Sequence, residues 1–171
     1  IWGWSLVGWG VGIGTGITLA ATLDLSRGDV ALVNSAALWG LFSGAMLGGT
    51  ILGRDPFTTN TDYDFALPFA GRNVGVATGV LISRWVEVSR GRMALIDLSG
   101  LLGTLLGGSL GTPLILDNPS ENEKRWYSAI MLGSAALGIG LGALFTAGMD
   151  DVPDSVAAAA MIEVDPSGEV D

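Results

Sequence analysis

The chain has 171 residues, of which 49% are hydrophobic and only 15% are charged, and its mean hydropathy is +0.52. It contains neither cysteine nor histidine, which excludes disulfides, thiolate chemistry, the common zinc sites and histidine-based acid–base catalysis. The net charge of −9 comes largely from an acidic segment after residue 149, and nothing in the composition indicates nucleic-acid binding.

The first predicted element covers residues 1–23, an uncharged run that contains "GWGVGIGTGI". As a strand, this stretch would present only glycine on one face. As a helix, it places Gly8, Gly12 and Gly16 on one stripe at four-residue spacing. Glycine costs about 1 kcal/mol relative to alanine in a helix, but a bilayer enforces backbone hydrogen bonding and small residues let two helices approach closely. We therefore predict a membrane-spanning helix whose glycine stripe contacts another helix.

The second predicted element covers residues 30–52 and follows "SRGD", in which Ser26 and Asp29 have the spacing of a helix-starting capping box. Gly40, Gly44 and Gly48 again lie at four-residue spacing. Strand-like alternation fails, because "LWGLF" would put apolar residues on both faces. The run is uncharged and long enough to cross about 30 Å of hydrocarbon, so a second spanning helix is predicted.

Three further helices are predicted along the rest of the chain. The third is the weakest candidate span, since Arg72 and Arg84 leave only eleven uncharged residues between them. The fourth covers residues 93–116 and contains the single acid Asp97, and the fifth covers residues 126–149. Residues 151–171 carry acids and no base, and we expect a flexible acidic tail.

The strongest signal in the sequence is an internal repeat with an offset of 63 residues: "SRGDVALVNSAALWG" from Ser26 recurs as "SRGRMALIDLSGLLG" from Ser89. We predict a membrane domain over residues 1–150, made of repeats at about 1–63 and 64–126 and a half repeat at 127–150. The predicted fold is all-α, a transmembrane bundle of four to five helices with glycine-zipper packing, built from hairpins whose helices are joined by the short turns. The predicted helix-packing positions are Gly8, Gly12, Gly16, Gly40, Gly44, Gly48, Gly71, Gly75, Gly79, Gly103, Gly107, Gly111, Gly138 and Gly142.

The repeat places Asn34 and Asp97 at equivalent positions inside the second and fourth helices. An acid within a span is costly, so it is a candidate for an ion or proton path. The structural alternative is that Asp97 bonds a neighbouring polar group, with Ser99, Arg92 or Asn34 as the candidates. No recognisable nucleophile–base pair, phosphate-binding loop or calcium loop is present, and no catalytic residue, cofactor or metal ligand is predicted.

The order of a glycine-stripe helix, "LDLSRGDVALVNSAALWG" and a second glycine stripe resembles repeats in uncharacterised bacterial envelope proteins, notably those of myxobacteria. The resemblance implies a membrane or envelope location and no established activity. The second repeat departs from the pattern, with Leu102 in place of Trp39 and Asp97 in place of Asn34.

These features predict a non-enzymatic integral membrane protein, a structural or assembly subunit of a bacterial envelope complex in the inner or outer membrane. Its expected partners are the lipid bilayer and other membrane subunits or further copies of itself. One alternative is a channel or transporter component with a polar path at Asn34 and Asp97. Another alternative is an outer-membrane β-barrel, because apolar and small residues alternate in residues 7–23 and 74–88 as they do in barrel strands.

Overall fold

A computed structural model describes residues 26–53 and 66–149 of the chain. These residues form helices α1 (Arg27–Leu52), α2 (Ala66–Ile82), α3 (Arg90–Gly111) and α4 (Glu121–Phe145), with a short 3₁₀ helix at Thr112–Leu114. Within the two described ranges there is no strand, so the all-helical prediction is confirmed there and the β-barrel alternative is disfavoured. The predicted first helix and the acidic tail lie outside the described residues.

The starts of α1 and α3 follow from their first residues. Ser26 Oγ accepts a hydrogen bond from the backbone N–H of Asp29, and the Asp29 carboxyl accepts one from the backbone N–H of Ser26. This reciprocal pair is the capping box that the sequence predicted. Ser89 Oγ accepts from the backbone N–H of Arg92, where the arginine has no carboxyl group with which to complete the box.

The last helix, α4, begins five residues before its predicted span and ends at Phe145 instead of residue 149. Its start is again a capping box, in which Ser120 Oγ accepts from the backbone N–H of Glu123 and Glu123 accepts from the backbone N–H of Ser120. The prediction followed the uncharged run, whereas the polar first turn is helical because these caps satisfy its backbone groups.

Replacing Gly53, the residue that ends α1, by alanine is expected to lower the free energy of unfolding by about 1–2 kcal/mol, because a side chain is strained in the left-handed conformation. Gly53 has a φ of 64°, and an added Cβ would lie 3.0 Å from Arg125 Nε and 3.2 Å from Glu121 O. Thermal unfolding of the purified protein measures the loss. The control is Gly133→Ala in α4, where an added Cβ would meet nothing within 4 Å. Equal melting temperatures for the two variants would contradict the expectation.

The helices pack as two pairs, α1 with α2 and α3 with α4, and α1 joins the pairs through smaller contacts with α4 and α3. The helices of each pair are separated in sequence by the longer connections. By contrast, α2 and α3 are joined by a short connection and hardly touch. The predicted packing of helices across the short turn is therefore wrong for α2 and α3, because the small residues of α2 face back onto α1.

A small apolar cluster lies where α1 meets α4. Met46 on α1 is 1% exposed, and it packs with Tyr127 and Met131 of α4, which are 8% and 7% exposed. Phe42 on α1 lies against this cluster and also makes an edge-to-face contact with Trp39, with ring centroids 5.8 Å apart. These side chains fix where the second pair sits on the first.

Three stretches of the described chain are long and apolar enough to span a membrane: Arg27–Leu52, Arg90–Leu114 and Glu121–Phe145. The remaining helix, Ala66–Ile82, is apolar but shorter. The protein is thus built as a membrane protein would be, with spans close to those predicted from the sequence.

Candidate functional site

Apart from a few buried large side chains such as Met46, Met93 and Tyr127, the described helices bury small residues and expose large ones, which is the reverse of a water-soluble core. Large apolar side chains are exposed along the candidate spans, with Leu102 at 54%, Leu105 at 66% and Leu110 at 76%. On the same helix, Gly100 and Gly107 are buried. A soluble monomer rarely exposes so extensive an apolar surface, so this surface is suited to hydrocarbon or to another protein.

The contact between α1 and α2 is made by glycines that lie against backbone. A Cβ added to Gly40 would collide with the carbonyl oxygen of Gly71, and one added to Gly71 would collide with that of Gly40. One turn along, a Cβ on Gly75 would collide with Ala36 O and lie 3.2 Å from the Cα of Ala37. Only a residue without a side chain admits this approach of the two helices.

The contact between α3 and α4 is made in the same way. A Cβ on Gly103 would collide with Ser134 O, and one on Gly138 would collide with Ser99 O and lie 3.1 Å from the Cα of Gly100. The offset of 63 residues carries the contacts of the first pair onto those of the second. Each contact of the first pair has an equivalent in the second: Gly40–Gly71 matches Gly103–Ser134, Gly75–Ala36 matches Gly138–Ser99, Gly79–Val33 matches Gly142–Ile96, and Gly44–Leu67 matches Gly107–Ile130.

Five other predicted packing glycines differ from this pattern or fall outside the described residues. A Cβ on Gly48 would meet only the end of the Leu67 side chain, at 3.3 Å. A Cβ on Gly111 would meet the Tyr127 ring instead of a helix backbone. The remaining three, in the predicted first helix, lie outside the described residues; they are Gly8, Gly12 and Gly16.

A polar cluster joins the two helix pairs inside the candidate spans. Asp97 on α3 is partly buried, and its Oδ1 accepts hydrogen bonds from Ser35 Oγ at 2.5 Å and from Trp39 Nε1 at 2.8 Å, both on α1. Ser35 is buried. The carboxyl group thus bonds a neighbouring helix, and its partners are not those predicted: Ser99 Oγ bonds the carbonyl of Leu95 in its own helix.

Asn34, the position equivalent to Asp97, is exposed on α1. It therefore does not share the Asp97 cluster, although the neighbouring Ser35 does. Sequence reasoning missed Ser35 and Trp39 as partners of Asp97. Trp39 and Asp97 are two of several positions at which the repeat units differ, so the sequence held no signal that singled out this contact.

Among the described residues, no group of three or more acidic side chains is placed to hold a metal ion. Near one end of α3, Arg92 Nε donates to Thr146 Oγ1 over 3.4 Å, and the threonine hydroxyl donates to Gly142 O. These contacts join α3 to the end of α4. Their geometry is that of helix packing, with no arrangement of a nucleophile beside a base.

Comparison of the chain with protein-family models, with curated proteins and with solved structures gives no match. An assignment of function therefore depends on the geometry of the helices and on the chemistry of their surfaces.

Proposed function

We propose that the chain is a non-enzymatic integral membrane protein that acts as a structural or assembly subunit of a bacterial envelope complex. The observation that carries the proposal is the reversed distribution of side chains on α3. Its leucines are exposed, and its glycines from Gly100 to Gly111, together with the partly buried Asp97, lie against the other helices. In a bilayer the exposed leucines would contact hydrocarbon, and close backbone packing would hold the helices together without a hydrophobic driving force.

A structural role is supported by what the polar groups do. The carboxyl group of Asp97 is engaged by two donors from α1, and the hydroxyls of Thr104 and Ser109 bond carbonyls of their own helix. Polar groups used in this way satisfy hydrogen bonds within and between helices. This favours a scaffold over the alternative of a channel component with a polar path at Asn34 and Asp97.

An assembly role is supported by surface of α4 that the described helices leave uncovered. On α4, Gly133 and Gly140 have nothing within 4 Å of an added Cβ, and Leu137 between them is 69% exposed. Small residues beside large apolar ones are typical of contacts between membrane helices. The bacterial envelope location follows from the sequence resemblance alone.

The membrane proposal is tested by extraction and by one charged substitution. The parent chain should stay with the membrane fraction through an alkaline wash and leave it only in detergent. Leu102, at the middle of the Arg90–Leu114 span, should not tolerate lysine, because a lysine at a span centre costs about 2.5–3.5 kcal/mol on insertion. The Leu102→Lys chain should therefore be depleted from the membrane fraction.

The matched control is Asn122→Lys, which places the same charge on an exposed residue in the first turn of α4. This variant should fractionate like the parent, because lysine near a span end can reach the interface. A parent chain that is soluble and monodisperse without detergent would overturn the proposal, and so would equal membrane content for the two lysine variants.

A further inference from the structure

Helix α1 occupies the groove between α3 and α4. A Cβ added to Gly100 of α3 would lie 2.5 Å from the Trp39 ring of α1 and 2.7 Å from the Ile139 side chain of α4. On the α3 side of this groove, the carboxyl group of Asp97 accepts hydrogen bonds from Ser35 and Trp39. In the second pair, therefore, the groove provides the hydrogen-bond acceptor, and the helix that fills it provides the donors.

The first pair has an equivalent groove between α1 and α2, because its backbone contacts match those of the second pair. The offset of 63 residues maps Asp97 of α3 onto Asn34 of α1. Ala135 of α4 is 2% exposed and lies one turn after Met131, which packs on α1. Its equivalent is Arg72 of α2. Asn34 and Arg72 are both exposed and line the groove of the first pair, and among the described helices only α1 packs closely on α2.

Arg72 lies near the middle of the membrane span defined by α1. A Cβ added to Gly71, the residue before it, would collide with Gly40 O, and Gly40 is close to the midpoint of Arg27–Leu52. In the part of the chain that the structure describes, the guanidinium group has no hydrogen bond and no ion pair. Charged side chains at this depth are costly, and they face protein or water and pair with other polar groups. The groove of the first pair therefore requires an occupant that can pair with a cation.

Asn34 adds further hydrogen-bond donors to the same groove. It precedes Gly40 by six residues, about 9 Å along the axis of α1, and a long arginine side chain at the level of Gly40 spans much of that distance. The guanidinium group only donates hydrogen bonds, and the carboxamide can donate as well as accept. The groove of the first pair is thus rich in donors, so the helix that fills it has to bring an acceptor. A carboxylate would accept these hydrogen bonds and neutralise the arginine.

We propose that the groove between α1 and α2 binds a membrane helix of another protein that carries an aspartate or glutamate at mid-span, with the carboxylate paired to Arg72 and within reach of Asn34. The inference deepens the assembly role proposed above and rests on it. Charge complementarity selects this partner. A second copy is a poor match, because Asp97, the acid that lies away from the ends of the described spans, is already bonded to α1 of its own copy.

Binding of model transmembrane peptides to the full chain in liposomes tests the proposal. Two peptides share one leucine–alanine sequence, with aspartate at the centre of the first and leucine at the centre of the second. Energy transfer between labelled peptide and labelled protein measures binding. We expect the aspartate peptide to bind about tenfold more tightly, as hydrogen bonding between two membrane helices allows. This preference should disappear in Arg72→Leu and persist in Arg72→Lys, which keeps the positive charge.

The matched control is Arg84→Leu, which removes the same charge from a residue beyond the end of α2. This variant should keep the preference of the parent for the aspartate peptide. Asn34→Leu should reduce the preference in part, because the groove then loses one of its two donor groups.

Three results would overturn the proposal. Equal binding of the two peptides to the parent would show that the groove does not take a carboxylate from another helix. A preference that survives in Arg72→Leu would place the binding site elsewhere. Association between copies of the chain that depends on Arg72, and that the aspartate peptide does not reverse, would make a second copy the occupant.

The same experiment separates this inference from the membrane role. A chain that proves soluble without detergent would overturn both, because Arg72 would then be an arginine exposed to water. Equal binding of the two peptides to a chain that has inserted into the bilayer would overturn this inference alone.

Discussion

Gly138→Leu is expected to lower the melting temperature of the protein in detergent more than any other single substitution in α4. An added Cβ at this position would collide with Ser99 O and lie 3.1 Å from the Cα of Gly100. Because both are backbone atoms of α3, neither can swing away as a flexible side chain would. Overpacking typically costs about 1–3 kcal/mol, and we expect a loss at the upper end of this range, after the gain in helix propensity of about 1 kcal/mol.

The control for Gly138→Leu is the same substitution at Gly140, two residues along the same helix. There an added Cβ would meet nothing within 4 Å, so leucine should gain helix propensity and lose no contact. The melting temperature of Gly140→Leu should equal or exceed that of the parent. If the Gly138→Leu and Gly140→Leu variants have the same melting temperature, the close approach of α3 and α4 does not stabilise the fold, and the glycines are not a packing surface.

The combination of Ser35→Ala with Trp39→Phe is expected to destabilise the protein by about 1–3 kcal/mol, because the carboxyl group of Asp97 loses both of its donors. Phenylalanine keeps much of the ring that packs against Phe42. Thermal unfolding in detergent measures the loss. Adding Asp97→Leu to the double variant should recover stability, since no polar group then lacks a partner.

Substitutions at the same residues distinguish a structural scaffold from a channel component. Asp97→Asn keeps a carbonyl oxygen that can accept from Ser35 and Trp39, so a scaffold should retain its melting temperature and its assembly. A proton or ion path through the carboxyl group would instead lose its flux in liposomes. Flux in the parent that disappears in Asp97→Asn, together with unchanged stability of the Ser35 and Trp39 variant, would contradict the structural role.

Much of the fold could be predicted because its signals are local. The start of α1 follows from Ser26 and Asp29, which are three residues apart, and the candidate spans follow from uncharged runs of the required length. The four-residue spacing of small residues identified which side of each helix could admit a close neighbour. Each of these properties depends on residues within a few turns of one helix, so the sequence alone determines them.

The tertiary structure alone decided which helices meet. The glycine stripe at Gly40 and Gly44 could pack against a similar stripe on any other helix. The sequence does not say whether that helix is the preceding or the following one. In the structure the helix that packs on this stripe is the following one, α2. The partners of Asp97 were undecided for the same reason, because a side chain reaches Ser35 and Trp39 only when α1 and α3 have one particular relative rotation. Rotation and pairing are set by contacts between distant segments, and those contacts exist only once the chain has folded.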